Sequence, residues 1–122
     1  MKNEDKIKTG FRSCENKGFQ ITFANGWTIS VQFGKHNYCV RRSFAPDAWK
    51  PETDEIVESE NAECAVWDAD GVWMQMTDSD EVIGSQTPDQ VAAMIARVAS
   101  FRAGNDVIDE NETRTDIPVY KG

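Results

Sequence analysis

The chain has 122 residues, of which 39% are hydrophobic and 28% charged, and it carries a net charge of −8. This matches one globular domain of roughly 100–150 residues and leaves no room for a second core. No apolar run approaches the ~20 residues needed to span a bilayer, and the polar start Met1-Lys2-Asn3-Glu4-Asp5-Lys6 lacks the apolar stretch of a secretory signal, so a cytoplasmic location and no membrane partner are expected.

Residues 1–10 read as a polar arm that leads into a first strand near residues 7–14. The clearest local signal follows. Phe19, Ile21 and Phe23 alternate with Gln20 and Thr22, and Trp27, Ile29, Val31 and Phe33 alternate with Thr28, Ser30 and Gln32. This is the period of half-buried strands. The intervening Ala24-Asn25-Gly26 has to be a three-residue loop. That length pairs Phe23 with Trp27, Ile21 with Ile29 and Phe19 with Val31, whereas a two-residue turn would set Ile21 against Ser30 and mix the faces. It also places Gly26 at the left-handed position such loops require. Ala69-Asp70-Gly71 has the same form, and a three-residue loop there sets Trp67 against Trp73 and Val66 against Met74. A two-residue loop also sorts the faces tolerably, so that register stays open.

Residues 34–42 read as a turn and a short strand. Residues 43–60, with Pro46, Pro51 and a run of acids, read as a long loop ending in a strand near 56–58, and residues 78–85 as a polar connection. One helix is strongly marked: Thr87 as N-cap, Pro88 at the first helical position, and Gln90 completing a capping box. Val91, Met94, Ile95, Val98 and Phe101 then form one apolar stripe, with Gly104 as the stop. The fold class is therefore α+β, an antiparallel sheet of hairpins with one C-terminal helix packed on it. The domain is assigned to residues 1–104, and residues 105–122 form an acidic tail, disordered or docked on a partner.

Several groups of residues invite chemical readings. His36 and Cys39 with Cys14 and Cys64 are the ligand types of a zinc site, but structural zinc sites bring two close pairs and only one is present. No metal and no cofactor are therefore expected. An odd, sparse set of three cysteines reads as reduced thiols rather than a disulfide framework. Asp68-Ala69-Asp70-Gly71 resembles part of a calcium loop without its distal glutamate, and turn chemistry explains it. Lys35, His36, Tyr38, Arg41 and Arg42 interleave cations with an aromatic and form a candidate site for a small anionic ligand such as a nucleotide. No serine-triad, phosphate-loop or paired-carboxylate signature stands out, so the chain is expected to be non-enzymatic.

Charge is divided along the chain: residues 1–46 carry +5 and residues 47–122 carry −13. Direct nucleic-acid binding through counterion release is not expected of so acidic a protein. Attraction to a basic partner is, with Asp54, Glu55, Glu58 and Glu60 as the expected contacts. Exposed strand edges would also permit a homodimer.

Residues 16–34, centred on Phe19-Gln20-Ile21-Thr22-Phe23-Ala24-Asn25-Gly26-Trp27-Thr28-Ile29 and followed by Asn37-Tyr38-Cys39, resemble small uncharacterised accessory proteins of tailed bacteriophages and prophages. Ala65-Val66-Trp67-Asp68-Ala69-Asp70-Gly71 and the capped helix are similar to the same group. These segments lie within residues 16–104. The group carries no catalytic residues to transfer. The resemblance implies an accessory protein acting in the bacterial host cytosol. The expected function is binding and inhibiting a host protein, such as a nucleic-acid-binding defence nuclease of the CRISPR kind. A protein that sequesters a nucleotide signal is the alternative, and a small zinc protein the second alternative.

Overall fold

A computed structural model describes residues 9–15, 17–43, 53 and 56–102. Five antiparallel strands lie in chain order, β1 (Gly10–Ser13), β2 (Gly18–Thr22), β3 (Thr28–Gln32), β4 (Ala62–Trp67) and β5 (Ile83–Gln86), followed by the helix α1 (Pro88–Ala99). The helix packs against β3, β4 and β5. The architecture is the α+β class expected.

The first hairpin takes the register that face sorting demands. Phe19 pairs with Val31, Ile21 with Ile29, and Thr22 with Thr28. The loop closes through Phe23 N donating to the Trp27 carbonyl at 2.9 Å, with Gly26 at φ 93°. Opposed residues share a face, so Phe11, Ile21, Ile29 and Val66 form one row across β1 to β4. Gly10, Thr22, Thr28 and Trp67 form a row on the reverse face. Trp27, Ile29, Val66, Met74, Met94 and Val98 are almost entirely buried between sheet and helix. Burying one such side chain contributes roughly 1.5–3 kcal/mol.

Several expectations need correction. Trp67 does face Trp73, and Met74 N donates to the Val66 carbonyl at 2.7 Å, which is the three-residue register. That pairing does not extend into a second full strand. The edge of β4 is instead taken by β5, which pairs Ala62 with Gln86 and Cys64 with Ile83 across a register shift. The polar connection expected at 78–85 therefore contains most of a strand. Residues 34–42 hold turns and no strand, and residues 56–58 are also not a strand. The helix ends at Ala99 with Ser100 as C-cap, which leaves Phe101 beyond it; Gly104 and residues 105–122 lie outside the described residues.

The early stop has a long-range cause. The Asn25 side-chain amide, from the tip of the first hairpin, donates to the carbonyls of Val98 at 2.9 Å, Phe101 at 3.0 Å and Ala99 at 3.3 Å. Its Oδ1 accepts from Trp27 N at 3.0 Å, and Trp27 Nε1 donates to the Arg102 carbonyl at 3.1 Å. The last carbonyls of a helix have no partner within it. Here the hairpin loop supplies one, which joins the β2–β3 turn to the end of α1.

Candidate functional site

The N-terminal capping box forms as expected: Gln90 N donates to Thr87 Oγ1 at 3.2 Å, and Thr87 N donates to Gln90 Oε1 at 2.9 Å. This fixes where α1 starts and thus where its apolar face meets the sheet. Val91 and Met94 of its first two turns are buried in the core, and beside them a cleft of about 290 Å³ opens between helix and sheet. Phe19, Val31 and Phe33 line the sheet side, and Val91, Ala92 and Ile95 line the helix side. Phe19, Phe33 and Ile95 are only partly buried, so their apolar surface reaches solvent through the opening.

One wall of this cleft is polar. It consists of Ser59, Glu60 and Asn61, which precede β4, with Gln86 at the end of β5. Ser59 Oγ donates to the Asn61 carbonyl at 2.6 Å, and Asn61 Oδ1 accepts from Val40 N at 2.7 Å. These bonds hold the wall against the neighbouring loop. Glu60 and Glu58 are both exposed. The result is an apolar recess with one acidic residue, Glu60, on its wall. Of the four acids expected to contact a partner, Glu60 lines the opening and Glu58 is exposed two residues before it, while Asp54 and Glu55 lie outside the described residues.

The second expected cluster is brought together by internal bonds. Glu63, on the reverse face of β4, accepts from Asn37 Nδ2 at 3.0 Å and from Tyr38 N at 3.2 Å. Ser85 N donates to the Tyr38 carbonyl at 2.9 Å, and a Cβ at Gly84 would come within 2.7 Å of that residue. Segment 34–43 is therefore strapped across the β4–β5 edge, which explains why it forms turns and not a strand. Arg42 Nη1 donates to the His36 carbonyl at 2.9 Å, and its guanidinium lies over the Tyr38 ring at 4.1 Å. Three members of the proposed anion site thus hold one another in a loop. Lys35 and Arg41 are half-buried and His36 is exposed. The aromatic Trp27 belongs to the core and is wholly buried.

The cysteines are free thiols. Burial, with Glu63 adding to it, pushes the Cys64 thiol up to about 12. Burial also raises the Cys14 thiol, against the opposing pull of Lys17 and Arg12. A thiol held protonated is a poor nucleophile and metal ligand. Cys39 is buried, with its Sγ 3.6 Å from the Gly34 carbonyl oxygen. Among the described residues no three His, Cys, Asp or Glu side chains gather as a metal-binding group. Asp68 braces its turn, with Oδ1 accepting from Asp70 N and Val72 N, each at 2.9 Å. No helix among the described residues is long and apolar enough to cross a membrane.

Sequence reasoning singled out Glu60 but missed the cleft beside it. Phe19 and Phe33 carry the alternation of strand residues and Val91 and Ile95 the apolar stripe of a helix, and either pattern says which face residues share, not whether that face is filled. No protein-family model matches the chain, and no curated protein or solved structure matches it either.

Proposed function

We propose that this chain is a non-enzymatic interaction protein that takes an apolar side chain of a partner into the cleft under α1, with flanking cations of that partner meeting Glu58 and Glu60. The observation that carries the reading is the open apolar recess with Glu60 on its wall and Glu58 exposed two residues before it. Its volume is near the lower end of small-molecule sites, about 300–1,000 Å³. That suits one or two anchoring side chains better than a whole helix. Such anchors supply most of the energy of many interfaces, while rim charges set partner choice and association rate. The resemblance to phage accessory proteins supports a host protein as partner. A defence nuclease with a basic nucleic-acid groove is the partner class we place first.

A peptide array varying a central Leu, Met, Phe or Trp, flanked by either Lys/Arg or Asp/Glu, tests this. Peptides with basic flanks are expected to bind. Ala92→Trp, which fills the recess from an exposed position, is expected to weaken them by about tenfold or more. The Glu58→Lys/Glu60→Lys pair is expected to reverse the flank preference. Equal binding of acidic and basic flanks, or indifference to Ala92→Trp, would refute the reading.

A further inference from the structure

The reverse face of the sheet carries a second recess, and nothing in the cleft reading depends on it. Its floor is the row Gly10, Thr22, Thr28, Trp67 that crosses β1 to β4. The row begins with a residue that has no side chain, continues with two small hydroxyl residues, and ends on an indole. The neighbouring row begins Arg12, Gln20. A low floor between a large ring and a guanidinium leaves a hollow of about 330 Å³, lined by these six residues among others.

The chemistry of the hollow differs from that of the cleft. Arg12 is exposed, and among the described residues it has no carboxylate partner. Trp67 is stacked on Trp73, with ring centroids 5.0 Å apart and planes 23° from parallel, so its indole is held in place before any ligand arrives. Thr22 Oγ1 and Thr28 Oγ1 are hydrogen-bonded to each other at 2.8 Å. That bond consumes one of their two hydroxyl hydrogens and leaves one donor, with spare lone pairs, for a ligand. Gln20 adds an amide. From Arg12 on β1 to Trp67 on β4 is three strand spacings, roughly 14 Å at ~4.8 Å each. This span is too long for a bare inorganic anion to use both ends.

We infer that this recess binds a planar aromatic anion of nucleoside-monophosphate size. The ring system packs on Trp67, its polar edge or its sugar meets Thr22, Thr28 and Gln20, and the phosphate meets Arg12. Guanidinium–phosphate pairing and ring stacking on an aromatic are the usual means of holding such a ligand. A free nucleotide fits better than a nucleic-acid strand, because a strand running on past the recess would have to cross the surface of a protein of net charge −8.

The test is a titration of the full chain with AMP, GMP, CMP and UMP, followed by amide and indole NMR shifts. At least one nucleotide should shift Gly10, Arg12, Thr22, Thr28 and the Trp67 indole together, with millimolar affinity or tighter. The matching nucleoside and inorganic phosphate should each bind more weakly. Arg12→Gln, an exposed change on an edge strand that leaves the remaining spectrum in place, should reduce the nucleotide to the affinity of its nucleoside. The inference is overturned if no nucleotide shifts these signals at millimolar concentration, or if the shifts map elsewhere. Indifference to Arg12→Gln, or tighter capture of a short single-stranded oligonucleotide than of any mononucleotide, would also overturn it.

Discussion

Replacing Asn25 tests the connection that ends α1. Its amide makes two short bonds, to Val98 O at 2.9 Å and Phe101 O at 3.0 Å, and one longer contact to Ala99 O at 3.3 Å, while Oδ1 holds Trp27 N. A net hydrogen bond contributes about 1 kcal/mol. Losing the two short amide bonds and the Trp27 bond in Asn25→Ala should therefore cost roughly 2–3 kcal/mol. Asn25→Asp keeps the acceptor for Trp27 N but sets a carboxylate oxygen against three carbonyls at the negative end of a helix. That repulsion should add roughly 1 kcal/mol beyond the lost donor bonds, bringing Asp to or below Ala. The introduced carboxyl would have its pKa raised in the folded state, because its neutral form alone can donate. Stability relative to wild type should then recover as pH falls through that pKa, and the deficit should be complete at neutral pH. Urea denaturation followed by circular dichroism is the assay, with midpoint shifts of about 1–2 M for losses of this size. If Asp is as stable as Asn at neutral pH, or shows no recovery on acidification, the loop does not cap the helix as argued.

Two further outcomes follow from single contacts. Gly84→Ala puts a Cβ 2.7 Å from both the Cβ and the carbonyl oxygen of Tyr38, so segment 34–43 must lift from β5. Hydrogen exchange at the Ser85 amide, which donates to that carbonyl, should speed up while exchange in β2 and β3 stays slow; unchanged Ser85 exchange would contradict the strap. Cys64, whose folded thiol is pushed from an ordinary 9.0 to about 12, adds stability that is complete below pH 9 and is lost as pH climbs toward 12. At about 1.4 kcal/mol per pH unit the loss reaches roughly 4 kcal/mol at most. Urea midpoints measured below pH 9 and about midway to 12 should fall more steeply for wild type than for Cys64→Ala, and equal slopes would remove Cys64 as the cause.

Features decided by neighbours in sequence were readable, and those decided across the fold were not. The first hairpin's register follows from alternation and one glycine, and the helix start from Thr87, Pro88 and Gln90, because each involves partners a few residues apart. The end of α1 is set by Asn25, more than seventy residues away, and no local pattern announces it. β5 was missed for a similar reason. Ile83-Gly84-Ser85-Gln86 does not alternate, and Ser85 sits at φ 54°, so the segment becomes a strand only because β4 offers an open edge. Segment 34–43 failed in the opposite direction: Tyr38 and Val40 look strand-like, but Glu63 and Asn61 capture the backbone amides of Tyr38 and Val40.

The two recesses arise from one constraint, applied to opposite faces of one sheet. Five strands make the sheet wider than a single helix can cover, and α1 lies against β3, β4 and β5. Phe11, opposite Ile21 at the β1 edge, is consequently 85% exposed. Apolar surface left at the margin of the helix becomes the cleft, and under the proposed function that opening would select by shape and hydrophobicity, with Glu60 adding a sign. On the reverse side no helix packs among the described residues, and Arg12, Gln20, Thr22 and the buried Thr28 lie there beside one indole. If it holds a nucleotide as inferred, the hollow there would select by hydrogen bonding and charge. A substitution at Ala92 should therefore leave the Arg12 recess untouched, and Arg12→Gln should leave the cleft untouched. If either change altered both, the two openings would be one coupled site, and the sheet between them would have to move when either is filled.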